Sequence, residues 1–359
     1  MGSRYAARVL GKRPSVLARV LRARVERRLS CGSLGSLPCP VVAIGGATLG
    51  GSGKTPLAIA CTRELALAGM HAVLVGHAYR AAAGRPRFVE PGSRIEEVGD
   101  EALVAADALE GLARAQVAVG SRRSDAITFA ARSADVVVLD GIAQTRPARA
   151  ALALLAVDAE DPWGHAAPLR ALGTLASLRD GSMRQAPKAM LLSACDAIVP
   201  LLDMTSADSI EVGERALARL SRHGRPVWPA LVHSRGAWVG QSLLTWEALR
   251  GRRVALVTAL ARPDRVVRAL ERRGVAPLAV VSARDHGPLG LRARLRANAI
   301  TRAGTVDLWL ATGKCALHAV GALSLEVPLA VLDHAVTLDP ALGVRLRGLF
   351  SASVASHAP

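Results

Sequence analysis

Short apolar runs alternate with longer stretches of helical spacing over most of the chain. Residues 41–44, 72–75, 116–119, 136–139 and 152–157 are apolar at nearly every position instead of every second one, which predicts strands buried on both faces. Helical spacing between them, at 55–68 and 100–109, predicts a parallel sheet covered by helices. Between about 200 and 250 the pattern becomes irregular. There Pro226, Pro229, Gly236 and Gly240 bracket strand-like pieces at 227–232 and 238–243, and we place a linker at 206–252. The alternation resumes at 254, with strands expected at 254–260, 278–282, 306–310 and 329–332 and helices at 263–273 and up to Asn298. This predicts a larger α/β unit over 37–205, a smaller one over 253–350 and a tail at 351–359.

Residues 4–29 carry one apolar helical stripe of Leu17, Leu21, Val25 and Leu29, with Val16 and Val20 beside it and Arg19, Arg22, Arg24, Arg27 and Arg28 around it. Such a helix suits a membrane interface with its arginines toward anionic head groups, and equally a helix docked on the protein's own core. Residues 1–36 are therefore set apart as an amphipathic segment.

Charge sharpens the choice of partners. The 359 residues include 46 basic and 29 acidic side chains, a net +17, which favours nucleic acid, anionic lipid or a phosphorylated substrate. Aromatics are only 3% and form no stacking series, so no nucleic-acid partner is expected. Cys31, Cys39, Cys61, Cys195 and Cys315 are scattered and contain no C-x-x-C pair, which argues against disulfides and zinc and for a reducing, cytoplasmic compartment. No uncharged apolar run approaches the roughly 18 residues of a spanning helix, and no signal-peptide core is expected.

The strongest local signal is Gly50-Gly51-Ser52-Gly53-Lys54-Thr55 between an expected strand and an expected helix. Glycines let backbone N–H groups turn inward around phosphates, the helix N-terminus adds its positive end, Lys54 reaches the outer phosphates, and Thr55 offers a hydroxyl to Mg²⁺. The pattern has Thr48 where the strict motif has glycine. Such a loop needs an acidic partner at the end of a neighbouring buried strand, and Asp140 closes the run Val136-Val137-Val138-Leu139. Gly99-Asp100-Glu101 before a helix reads by itself as an N-cap followed by a first-turn carboxylate, with acid–base chemistry as the alternative, and Asp285-His286 follows a strand of the second unit.

Together these residues resemble the tetraacyldisaccharide 4'-kinase family, whose G-G-T-G-K-T-P loop is matched by Gly50 to Pro56 with the same threonine at Thr48. The likeness continues through Gly76-His77-Ala78-Tyr79-Arg80, Val98-Gly99-Asp100-Glu101, Arg123, Pro168-Leu169-Arg170, Arg262-Pro263-Asp264-Arg265, Asp285-His286 and Thr312-Gly313-Lys314. It implies a P-loop NTPase-like domain with a second, smaller α/β domain and an N-terminal amphipathic helix. The activity implied is transfer of the ATP γ-phosphate to the 4'-hydroxyl of tetraacyldisaccharide 1-phosphate, with Mg²⁺, on the cytoplasmic face of a bacterial inner membrane. Asp100 would be the base and His286 its support. Thr48, Gly50, Gly51, Ser52, Gly53, Lys54 and Thr55 would bind nucleotide, with Lys54 also catalytic. Thr55 and Asp140 would hold the metal, and Tyr79, Glu101, Arg123, Gln144 and Arg170 the acceptor.

The family's D-D-G-x-Q-H falls on Asp140-Gly141-Ile142-Ala143-Gln144-Thr145, so its second Asp and its His are replaced by Gly141 and Thr145. Acidic family positions are likewise replaced at Ala171, Gly313 and Cys315. A nucleotide-binding relative whose catalysis has decayed is the alternative these losses raise.

Overall fold

The computed structural model describes residues 37–48, 51–78, 81, 84–141, 150–164, 188–260, 263–283, 288–320, 323 and 326–355. The amphipathic segment 1–36 lies outside them. Two sheets organise the chain. The first is built from β1 (Val41–Gly46), β2 (Ala72–Val75), β3 (Arg87–Phe88), β4 (Ala115–Val119), β5 (Val136–Asp140), β6 (Leu152–Asp158), β7 (Ala197–Asp203), β8 (Ala230–His233) and β15 (Ala335–Leu338). Its order is β15-β8-β7-β6-β1-β5-β2-β4-β3, parallel from β8 to β4 with antiparallel edges. The second contains β9 (Gly236–Val239), β10 (Ser242–Thr245), β11 (Val254–Thr258), β12 (Ala279–Ser282), β13 (Leu308–Ala311) and β14 (Leu329–Leu332), in the order β10-β9-β14-β13-β11-β12.

The continuous apolar runs have their explanation in burial on both faces. Along β1, Val42 and Ile44 face one core with Leu57, Ala58, Cys61 and Leu65 of helix α1 (Lys54–Leu67). Val41 and Ala43 face another, with Ala126, Ile127 and Ala130 of helix α3 (Arg123–Ala130). Between them in sequence, helix α2 (Asp100–Ala108) lays Ala102 and Ala105 on the first of these cores. The second sheet repeats the scheme, with Ala255 and Val257 on one face and Val254 and Leu256 on the other. It carries helices α4 (Pro263–Glu271), α5 (Leu291–Arg302) and α6 (Gly313–Ala319).

The irregular stretch resolves into strands of both sheets. The chain leaves the first sheet after β8, enters the second at β9 and returns from β14 to β15, which pairs antiparallel with β8. The expected piece at 238–243 is a tight hairpin, because Gly240 adopts φ 57° and turns β9 into β10. Strand β7 had no clear sequence signature since it carries Pro200 between two paired neighbours. Ile198 bonds the backbone of Pro226 and Trp228, and the β8 pairing resumes at Leu201, so the proline falls at a gap in that ladder. Helix α7 (Pro340–Ala355) finishes on the first core, burying Leu342 and Leu346 beside α1 and pairing Arg347 with Glu64. No helix among the described residues is long and apolar enough to cross a membrane.

Candidate active site

The carboxyl ends of β1 and β5 lie side by side, with Ile44 in register with Asp140. The chain turns from β1 into the glycine loop and enters α1 at Lys54, with Gly53 as the cap at φ 79°. A Cβ added at Gly46 would run into Ser52 Oγ and sit 2.7 Å from the Lys54 side chain, so the loop would have to shift to admit one. Thr48 and Ser52 are buried. Thr55 Oγ1 donates to Asp140 Oδ2 at 2.5 Å, joining the first turn of α1 to the end of β5.

Asp140 is held in a dry setting. Burial pushes its carboxyl above the ordinary range, the Glu101 charge adds to this, and Lys54, the Thr55 hydroxyl and Arg123 oppose it. Its Oδ1 and the Ser52 Oγ are both buried without a hydrogen bond among the described residues. An unsatisfied buried carboxylate oxygen beside a threonine hydroxyl fits a divalent cation that also takes phosphate oxygens. No cluster of three or more His, Cys, Asp or Glu among the described residues could hold a metal on protein ligands alone. Arg123 donates to the main-chain carbonyl of Asp140 and, at 3.5 Å, to that of Val75, tying β2 and β5 together beneath the site. Burial lowers its affinity for its proton, and the Asp140 and Glu101 charges oppose this only in part.

Asp100 opens α2 after Gly99 at φ 88° and is 3% exposed. Its Oδ1 accepts the Glu101 N–H at 2.8 Å. Its Oδ2 faces the second sheet, where an N–H from His318 Nε2 reaches it at 3.0 Å. Lys314 Nζ lies 3.4 Å from Glu101 Oε1 and 4.0 Å from Asp100 Oδ2. Lys314 and His318 are four residues apart on α6 and so share one face, which docks on the Asp100-Glu101 pair.

A second bridge runs from α4. Arg265 pairs with Asp158 Oδ1 at 2.9 Å and donates to the Gly51 carbonyl in the glycine loop. Behind it Arg272 pairs with Glu160 at 2.6 Å, and Arg273, nearly buried, grips Asp203 with bonds of 3.0 and 3.2 Å. Burial pushes Asp203 up, but the bonds from Arg273 and Thr205 and the Arg273 and Arg272 charges outweigh it and hold its carboxyl below the ordinary range.

The structure thus gathers Thr48, Gly51, Ser52, Gly53, Lys54, Thr55, Asp140, Arg123, Asp100 and Glu101 around one cleft. Gly50, Tyr79, Gln144, Arg170 and His286 lie outside the described residues. His318, Lys314, Arg265 and Asp158 carry contacts that sequence reading gave no role. The i, i+4 spacing of Lys314 and His318 and the strand-end position of Asp158 are the signals that were there to find. Gly141 follows Asp140 at φ 117°, a conformation poorly suited to any side chain.

A parallel sheet with a glycine loop between β1 and α1, and an aspartate closing the adjacent strand, defines a P-loop nucleotide-binding protein. The model of the tetraacyldisaccharide-1-P 4'-kinase family matches residues 14–346, and the chain belongs to that family. It is 33% identical over 256 residues to a tetraacyldisaccharide 4'-kinase of Anaeromyxobacter dehalogenans, covering 69% of this chain and 64% of that relative, under two thirds of its length. A Geobacter metallireducens protein of the same name is 29% identical over 317 residues, covering 84% of this chain and 85% of its own. The crystal structure of LpxK from Aquifex aeolicus in complex with ATP superposes with a TM-score of 0.62 at 17% identity, over 93% of this chain and 97% of that one. The likeness extends to the whole two-sheet fold.

Proposed function

We propose that this chain is an ATP-dependent kinase that phosphorylates the 4'-hydroxyl of tetraacyldisaccharide 1-phosphate, a step of lipid A synthesis, at the cytoplasmic face of a bacterial inner membrane. The observation that carries this reading is the buried Asp100 held by His318 across the cleft from a glycine loop whose Thr55 is bonded to Asp140. The named relatives support the choice of acceptor.

The backbone N–H groups of the glycine loop and the start of α1 cradle the ATP phosphates, and Lys54 draws charge from the outer ones as the bond to the γ-phosphorus breaks. Thr55 and Asp140 would hold Mg²⁺, which when bound neutralises charge on the phosphates and the leaving group. Asp100 accepts the proton of the attacking 4'-hydroxyl. The N–H from His318 fixes the orientation of that carboxylate, and Lys314 offsets the negative charge of the adjacent Glu101. His286, assigned to the same support by resemblance, is kept as a candidate. Arg123 donates to the carbonyls of Asp140 and Val75, and on that contact we assign it to positioning β5. Tyr79, Glu101, Gln144 and Arg170 remain the acceptor-binding candidates. The α4 bridge brings the lobes together over the loop and excludes water that would otherwise take the phosphoryl group.

The test is transfer of labelled γ-phosphate from ATP to the purified acceptor in mixed micelles. Wild type should form product, and Lys54→Ala and Asp100→Asn should each lose about 10²-fold or more in kcat. Full activity in both variants would overturn the site assignment.

A further inference from the structure

We propose that α5 is a membrane-docking element of the second lobe, and that its occupant is an anionic bilayer surface. This rests on the exposure and charge of one helix, and it would stand whatever reaction the cleft performs. Ala297 and Thr301 are buried against the second sheet with Ala293 and Ile300 beside them, which fixes the inward face. At about 100° per residue, Leu291, Leu295 and Arg302 fall on the opposite side. The two leucines are 71% and 60% exposed. Arg294 flanks them on one side and Arg292 and Arg296 on the other, all exposed.

The helix, Leu-Arg-Ala-Arg-Leu-Arg-Ala-Asn-Ala-Ile-Thr-Arg, contains no acidic residue, and none of its arginines is ion-paired among the described residues. An apolar ridge between arginine rows matches the depth profile of a bilayer interface. Leucines enter the acyl boundary while the long arginine stems let guanidinium groups reach lipid phosphates. A nucleic acid would use the arginines but leave the leucines in water, and the helix has no aromatic for a base to stack on. A second copy would set arginines against arginines in a chain already at +17. Anionic lipid satisfies both halves of the surface.

The position is suited to the purpose. Strand β12 runs parallel to β11 and β13, and the helix after β13 reaches Asp100. The carboxyl ends of these strands therefore face the cleft, and α5 starts at that rim with Leu291. A docked bilayer would lie beside the cleft mouth, where an acyl-anchored acceptor could enter without leaving the membrane.

The experiment is co-sedimentation of the full-length protein with sucrose-loaded vesicles of phosphatidylglycerol and phosphatidylcholine, or of phosphatidylcholine alone, with no ATP or acceptor present. Wild type should favour the anionic vesicles and lose binding as salt rises. Leu291→Ser/Leu295→Ser should bind them at least about tenfold more weakly, the order expected for withdrawing two leucines from an interface. Arg292→Glu/Arg296→Glu should show a similar loss with a shallower salt dependence. Both variants change exposed positions, and an unaltered thermal midpoint should confirm that the fold persists. Equal vesicle binding by wild type and the leucine variant would overturn the proposal. So would equal binding of wild type to neutral and anionic vesicles, or a leucine variant that alters only the sedimentation coefficient, which would make the face a contact between copies.

Discussion

The imidazole of His318 and the carboxylate of Asp100 come from helices packed on different sheets, and they meet at 3.0 Å with Asp100 buried. If His318 orients Asp100 for proton acceptance, His318→Ala should reduce kcat by about 10- to 100-fold with little change in KM for ATP, and should alter the shape of the pH–kcat profile. A structural histidine would lower stability and leave the profile as it was. His286→Ala in the same assay shows which imidazole serves the base. Asp140 makes a separate prediction. Burial raises its carboxyl above its ordinary value, so the folded state binds that proton more tightly than the unfolded chain, and stability is lost as pH rises from the ordinary carboxylate range through the raised value. At pH 7 without metal, Asp140→Asn should therefore raise the urea midpoint while lowering kcat by about 10²-fold. Lys54, Thr55 and Asp140 were legible in the sequence because the loop and its strand-end partner are local patterns. His318 was not, because it meets Asp100 only through the docking of α6, and no spacing within the chain encodes a contact between lobes.

Strand β1, the loop and α1 act as one rigid unit because each is pinned by a neighbour's backbone or side chain. Gly46 is the tightest point, with the space for its missing Cβ already filled by Ser52 and Lys54. Gly46→Ala should displace the loop, weakening ATP binding by about tenfold or more in titration calorimetry while leaving most of the core stability intact. The continuous runs of β1, β5 and β6 announced a buried parallel sheet, and the helical spacing after them announced its cover. Strands β7, β8 and β15 were harder to read. Pro200 disguises a central strand, while β8 and β15 are four-residue pieces whose partners lie about a hundred residues apart in the chain. Their pairing is a property of the return crossover and not of either segment.

The two lobes meet through complementary charge on both sides of the cleft, α6 on Asp100-Glu101 and α4 on Asp158, Glu160 and Asp203. On the α4 side, Arg273 is the buried arginine, and it pairs with Asp203. Because Asp203 is held below its ordinary range in the folded protein, the pair's contribution is present above that range and is lost as pH falls through the depressed value. Arg273→Met should cost about 3 kcal/mol in urea unfolding at pH 7, and the deficit should shrink in acid below the depressed value. The excess of basic charge gathers its meaning at this level too, since arginines close the cleft from one lobe while others remain exposed on α5. The central claim is that the closed cleft phosphorylates one hydroxyl of a lipid disaccharide. The most direct measurement is phosphorus and proton NMR of the product formed from ATP and tetraacyldisaccharide 1-phosphate by the wild-type protein. A single new phosphomonoester on the 4'-oxygen, absent with Lys54→Ala and Asp100→Asn, is the predicted result. ATP binding without any phosphorylated disaccharide, or phosphate on a different hydroxyl, would contradict the account.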